Sequence, residues 1–201
     1  DIVVLEGDLK ESTQSIQFQQ AYPERYIDCG IAEQNMVGVA GGLALAGKIP
    51  VVQSFACFIS MRTCEQVRTS VAYPRLNVKF LVSHGGISPG TAGTTHHAIE
   101  DIAIMRAIPN MTVLVPGDAE EAKQIIHAAL EYDGPVYIRL SASDTEDVCS
   151  QKDSFAIGKS TLLREGSDAC IITTGTMAAI GLEAAAELLK NGIETRVIQM
   201  A

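Results

Sequence analysis

Short apolar runs recur along the chain, separated by longer segments of mixed pattern. Residues 2–5, 26–29, 51–55, 78–82, 111–115 and 136–140 each have the length and apolar content of a buried strand. Between them lie segments with helical character. An uncharged run from Gln34 to Gly47 follows Glu33 and is too short to span a bilayer, so it is expected to be a helix buried on most sides. Residues 62–71 are amphipathic and stop at Tyr73-Pro74, residues 98–108 form a short helix, and Pro116-Gly117-Asp118 opens a helix over 119–131. Residues 10–24 are polar, with Gln17, Gln19 and Gln20 around Phe18, and read as an irregular loop. Strand and helix alternate, so the fold class is α/β: a doubly wound, mainly parallel sheet with helices on both faces.

After the last of these strands the pattern changes. Residues 141–155 are polar and acidic, and a new strand–helix–strand unit follows at 169–175, 177–191 and 194–200. One such unit cannot close its own core, so it is expected to begin a second α/β domain that is incomplete here. The expected division is 1–145, a linker at 146–157, and 158–201. No internal repeat is found.

Composition narrows the function. Hydrophobic residues make up 47% of the 201 residues, and the net charge is −9 with no basic run. Nucleic acid and anionic membrane surfaces are therefore not expected as partners. The five cysteines lack CxxC spacing, so neither a disulfide framework nor a zinc site is indicated. With no signal peptide and no spanning run, the cytoplasm is the expected location.

The candidate chemistry lies where strands end. Glu33 stands alone at the head of an uncharged element. Burying a carboxylate is costly unless it is paired or protonated, so it is either a functional acid or a complement to the helix dipole. Gly38, Gly41 and Gly42 weaken the same helix by about 1 kcal/mol each, which suggests close approach of another backbone, as at a contact between subunits. Phe55, Phe58 and Met61 are spaced to share a helix face, either as core or as an apolar slot for a flat ring. Asp8 follows the first strand, the usual ligand-binding edge. His84, His96 and His97 flank a polar, glycine-rich loop, which suits substrate contact or general acid–base work better than metal binding.

Several of these segments resemble the transketolases: Gly30-Ile31-Ala32-Glu33-Gln34-Asn35-Met36-Val37, Ser54-Phe55, Ser83-His84-Gly85-Gly86-Ile87-Ser88 and Ile108-Pro109-Asn110-Met111. The Gly-Ile-Ala-Glu-Gln run is shared with 1-deoxyxylulose-5-phosphate synthases and, more loosely, with 2-oxoacid dehydrogenase β subunits. The resemblance implies a thiamine-diphosphate-binding fold, with 1–145 as its pyrimidine-binding domain and 158–201 as the start of the transketolase C-terminal domain. It implies that Glu33 hydrogen-bonds N1′ of the aminopyrimidine, so that the 4′-imine takes the thiazolium C2 proton and gives the ylide. Phe58 stacks on the ring, Phe55 and Met61 wall its pocket, and Asp8 lies near the thiazolium. His84 and His96 face the substrate and serve as catalytic groups, and Ser12 and Arg139 help hold it. The implied reaction is transfer of a two-carbon ketol unit from a ketose to an aldose.

Two positions depart from the family pattern. The loop reads Gly90-Thr91-Ala92-Gly93 where an aspartate binds a substrate hydroxyl, and Ser141-Ala142 where an arginine holds the acceptor phosphate. The preference is expected to move toward a different sugar or a non-phosphate anion. No Gly-Asp-Gly…Asn pattern for Mg²⁺ and diphosphate occurs in the chain. The resemblance therefore implies an N-terminal transketolase subunit as partner, carrying the diphosphate-binding domain and Mg²⁺, in an α2β2 assembly without which this chain is inactive. The alternatives are a 1-deoxyxylulose-5-phosphate synthase-like enzyme acting on a 2-oxoacid and a non-catalytic partner subunit.

Overall fold

The computed structural model describes residues 1–149 and 155–201. The middle of the expected linker, residues 150–154, lies outside the described residues. Six apolar strands form one sheet: β1 (Ile2–Glu6), β2 (Tyr26–Asp28), β3 (Ile49–Phe55), β4 (Lys79–Ser83), β5 (Thr112–Leu114) and β6 (Val136–Arg139), in the order β2-β1-β3-β4-β6-β5. β1 pairs parallel with β2 and β3, β3 with β4, and β4 with β6. The expected doubly wound, mainly parallel sheet is thus the observed one. The chain leaves β1 for β2 on one side and returns across it to β3 on the other. Ligands of open α/β sheets bind outside the carboxyl ends of strands at such a reversal.

The core explains why the strands read as continuous apolar runs. Leu5, Val52, Phe80 and Val82 from the sheet pack with Met36, Val37 and Ala40 of α3 (Glu33–Leu45) and with Val67, Val71 and Ala72. Lys79 is the charged exception on β4. Its Nζ donates to the carbonyls of Tyr132 at 2.6 Å and Gly134 at 2.7 Å, and burial lowers its pKa to about 8.

Three local expectations change. Residues 10–24 are not an irregular loop: they hold α1 (Lys10–Thr13), α2 (Ile16–Ala21) and a 3₁₀ turn (Pro23–Arg25). Phe18 and Tyr22 sit one helical turn apart with ring centres 5.3 Å from each other, and the Arg25 guanidinium lies 4.0 Å from the Tyr22 ring. These contacts fix a segment whose glutamines hide its periodicity. α3 is buried on one side only, through Glu33, Met36, Val37, Ala40 and Gly41. Of its glycines, Gly41 alone meets a backbone closely, since an added Cβ would lie 3.2 Å from the Ser70 carbonyl oxygen, whereas Gly38 and Gly42 face open space in this chain. Third, Phe55 ends β3 instead of starting a helix. The next segment consists of π-helical turns Phe58–Arg62 and Val67–Ala72 around α4 (Cys64–Gln66). α5 (Asp101–Ala107) and α6 (Ala119–Glu131) follow.

The described residues divide into two compact units, Asp1–Val113 with Ala129–Ser143, and Leu114–Ala128 with Asp144–Ala201. The second unit contains a three-stranded sheet, β7 (Thr161–Arg164), β8 (Ala169–Thr173) and β9 (Thr195–Gln199), in the order β7-β9-β8, with α7 (Met177–Leu189) between β8 and β9 in sequence. β8 and β9 are parallel, as the strand–helix–strand pattern requires. β7 pairs antiparallel with β9 and was not expected from the pattern. Gly181 lets α7 approach the sheet, because a Cβ there would lie 2.5 Å from Thr173 Cγ2. No helix among the described residues is long and apolar enough to cross a membrane.

Asp118 holds the second unit together locally. Its Oδ1 accepts from the Glu121 amide at 2.8 Å, which caps α6, and its Oδ2 accepts from the amides of Val148 at 2.8 Å and Cys149 at 2.6 Å. These bonds outweigh burial and hold its carboxyl below the usual aspartate value of 3.8. Asp118→Ala is expected to lower stability by about 2 kcal/mol, the upper end for loss of a cap, in urea unfolding. Because the folded pKa is depressed, the Asp118 contribution is present above pH 3.8 and is lost as pH falls through the folded value. The gap between wild type and variant should close in acid.

Candidate active site

β1, β3 and β4 all end on the same edge of the sheet, and the head of α3 closes against it. Gly7, just past β1, faces this junction: a Cβ there would sit in ordinary contact, 3.6 Å from the Gly30 carbonyl oxygen and 3.8 Å from Glu33 Cγ. Gly30 has φ of 65°, a left-handed turn that glycine takes without strain, and its amide donates to Asp28 Oδ1 at 3.0 Å. α3 therefore starts at Glu33 with its side chain turned inward and 2% exposed.

The surroundings of Glu33 favour a working group over a helix-end charge. Arg62 NH1 donates to its Oε1 at 2.7 Å, while its Oε2 is buried with no partner among the described residues. A buried oxygen left without a donor is rare enough to need a reason. Glu33 and Arg62, with Ile31, Ala32, Gln34 and Asn35, line a cavity of about 400 Å³. The Arg62 guanidinium carbon lies 4.4 Å above the Phe58 ring, so Arg62 bridges Glu33 and that aromatic face.

A second cluster is built around Phe58. Phe55 and Phe58 stack at 5.7 Å, His84 stacks on Phe55 at 3.8 Å, and His96 meets both phenylalanines edge-on at 6.0 Å and 5.5 Å. His84 has φ of 61°, and its Nδ1 is 2.8 Å from Ser83 Oγ. Burial, and next the charge of His96, hold the His84 imidazole below its ordinary value of 6.5, so it is neutral at pH 7 and offers an acceptor as well as a donor. His96 Nδ1 pairs with Thr95 Oγ1 at 2.9 Å, and His97 turns away to the Gly90 carbonyl at 3.3 Å.

The structure thus brings Glu33, Phe55, Phe58, His84 and His96 to one edge. Met61 lies beside Arg62 and is 49% exposed. Asp8, in a left-handed conformation, and Ser12, on α1, stand exposed, and neither side chain has a hydrogen bond among the described residues. Arg139 is placed differently from the expectation of a substrate contact. Its Nε donates to Asp101 Oδ2 at 2.8 Å and its NH2 to the Ala98 carbonyl at 3.2 Å. Tyr137 OH donates to the same Asp101 oxygen at 3.0 Å. A Cβ at Gly85 would fall 2.7 Å from Arg139 Nε, so the guanidinium supports the Gly85-Gly86 turn from behind. Ser88 Oγ ties that turn to Ala142, accepting from its amide at 3.1 Å and donating to the Gly85 carbonyl at 2.7 Å.

Sequence reasoning missed Arg62, Asp101 and Glu6. Glu6 is wholly buried, its Oε2 accepts from the Leu9 amide at 2.8 Å, and burial raises its pKa. Its place at the end of an apolar strand, at the usual ligand-binding edge, is the sequence signal for it. Among the described residues, no three His, Cys, Asp or Glu are placed to hold a metal ion.

The family model for the transketolase pyrimidine-binding domain matches residues 1–147. The chain belongs to the transketolase family. The model for the transketolase C-terminal domain matches residues 158–201. The 6-deoxy-6-sulfo-D-fructose transketolase subunit SqwH of Clostridium sp. (strain MSTE9) is 47% identical over 199 residues, which are 99% of this chain and 62% of that protein. An apulose-4-phosphate transketolase subunit of Phocaeicola vulgatus is 37% identical over 202 residues, 100% of this chain and 65% of that protein. A solved split-gene transketolase, an inactive β4 tetramer, superposes with a TM-score of 0.90 at 47% identity, covering 100% of this chain and 65% of that one. This chain therefore spans less than two thirds of the length of these transketolase relatives.

Proposed function

We propose that this chain belongs to a cytoplasmic, split transketolase and supplies the pyrimidine-binding side of its active site. Residues 1–145 would form that domain, 146–157 the linker and 158–201 the start of the C-terminal domain. The observation that carries the reading is Glu33, a buried carboxyl with one oxygen unpartnered among the described residues, linked through Arg62 to the face of Phe58. A hydrogen-bonding edge within reach of an aromatic face fits a flat, nitrogen-containing ring. When bound, thiamine diphosphate would supply the nucleophilic carbon and the electron sink for cleaving and forming the carbon–carbon bond.

The roles of this chain's residues follow from their chemistry. Glu33 would hold a proton at the ring nitrogen N1′, and its burial keeps water from competing for it. Phe55 and Phe58 would fix the ring plane, with Met61 as a further apolar wall. His84, held neutral by burial, and His96 would meet the donor's hydroxyl and carbonyl oxygens and move protons between them. Asp8 and Ser12 lie on the segment after β1, on the side we assign to the thiazolium and the sugar. A partner chain, the N-terminal subunit with the diphosphate-binding domain, would hold Mg²⁺ and the diphosphate. The outer face of α3, where Gly38 and Gly42 leave open space and Leu45 is exposed, suits a subunit contact in an α2β2 assembly.

The substrate is where this chain should depart from phosphate-selective enzymes. No guanidinium stands at position 142, and Arg139 is committed to Asp101. The two subunit relatives are named for different sugars, a sulfo-deoxyfructose and apulose 4-phosphate. The assembled subunits should be assayed with ketose donors with and without a terminal phosphate, and with pyruvate. Ketol transfer is expected, with kcat/KM falling less than about tenfold when phosphate is removed, because a charge-assisted bond of about 1.5–3 kcal/mol is missing. Decarboxylation of pyruvate without ketose cleavage would overturn the transketolase assignment.

A further inference from the structure

Arg62 has no role in the reading above, yet it makes both contacts that define the ring slot. Its NH1 lies 2.7 Å from Glu33 Oε1, and its guanidinium carbon lies 4.4 Å above Phe58. A flat heteroaromatic ring read by Glu33 at its edge and by Phe58 at its face would need the same two surfaces. The guanidinium is itself flat, stacks on aromatic rings and donates to carboxylates, so it imitates such a ring in shape and in hydrogen bonding.

The two sides of the pair differ in freedom. Glu33 is 2% exposed and fixed in the first turn of α3, whereas the Arg62 side chain is 46% exposed at the end of a π-helical turn. Arg62 can leave for water on its long stem, and Glu33 cannot. Nor is the pair complete, because Glu33 Oε2 has no partner among the described residues. We propose that Arg62 is a built-in occupant of the ring slot, a latch that neutralises Glu33 in the cofactor-free protein and must swing out before an aminopyrimidine can enter. This rests on the assignment of Glu33 and Phe58 to ring binding. Arg62 then lowers the apparent cofactor affinity by the fraction of molecules in which the slot is open.

The test uses the full-length chain assembled with its partner subunit, titrated calorimetrically with thiamine diphosphate and Mg²⁺. Arg62→Met keeps an apolar stem against Phe58 and removes the guanidinium. It is expected to tighten binding about tenfold, on the order of 1.4 kcal/mol, and to lower the melting temperature of the cofactor-free protein. Arg62→Lys, charged but not flat, should fall between the two. Equal or weaker binding by Arg62→Met would overturn the latch. Glu33→Ala separates the latch from the ring assignment on which it rests: binding as tight as wild type would overturn that assignment. Should Arg62→Met not fold, phenylglyoxal labelling of the wild type answers the same question. Saturating cofactor should raise the labelling of Arg62, and unchanged or reduced labelling would overturn the proposal.

Discussion

Glu33→Gln, assembled with the partner subunit, is expected to lose ketol transfer by about 10²–10⁴-fold, the range for removing a positioned acid–base group. The substitution keeps the volume and hydrogen-bonding atoms of the side chain but cannot exchange a proton with a ring nitrogen. The protein should stay folded. Arg62, the partner of Glu33, is half-exposed and can turn to water, so no charge is stranded in the interior. The loss should therefore show in kcat with an unchanged unfolding midpoint. An equal fall in stability and activity would instead indicate that Glu33 is a structural acid at the head of α3.

Asp101→Ala should give the largest loss of stability. Asp101 is 1% exposed and accepts from both Arg139 and Tyr137 through Oδ2. Removing it leaves a largely buried guanidinium and a fully buried phenol without their acceptor. Breaking one side of a buried pair costs about 3–5 kcal/mol, and the lower end applies because the Arg139 side chain is 19% exposed. Activity should also fall, through the Gly85-Gly86 turn that lies against Arg139 and carries His84. Asp101→Asn keeps an acceptor and should recover part of both losses. A change below about 1 kcal/mol in urea unfolding would show that the triad does not support the turn.

These groups also mark what was legible in the sequence. The strands were readable because each is a short run rich in apolar residues and the central β1, β3 and β4 are largely buried, and Glu33 was readable because it is the one acid opening an uncharged helix. Residues 10–24 were not, since the contacts of Phe18, Tyr22 and Arg25 that hold them are set among glutamines with no apolar stripe. β7 was missed because four residues paired to the last strand carry little periodic signal. Arg62 looked like an ordinary charged residue on an amphipathic segment. Only the fold shows that the π-helical turn brings it over Phe58 and onto Glu33. Arg139 showed the converse: its presence near a phosphate-binding position suggested a ligand contact, while Asp101, distant in sequence, claims it.

The central claim is that Glu33 acts on the pyrimidine ring of thiamine diphosphate. Its most direct test is the exchange rate of the thiazolium C2 proton with deuterated solvent, measured by quenched-flow NMR on the assembled protein in wild-type and Glu33→Gln forms, both saturated with cofactor. A fall of about 10²-fold or more is expected in the variant. An unchanged exchange rate at full cofactor occupancy would contradict the claim.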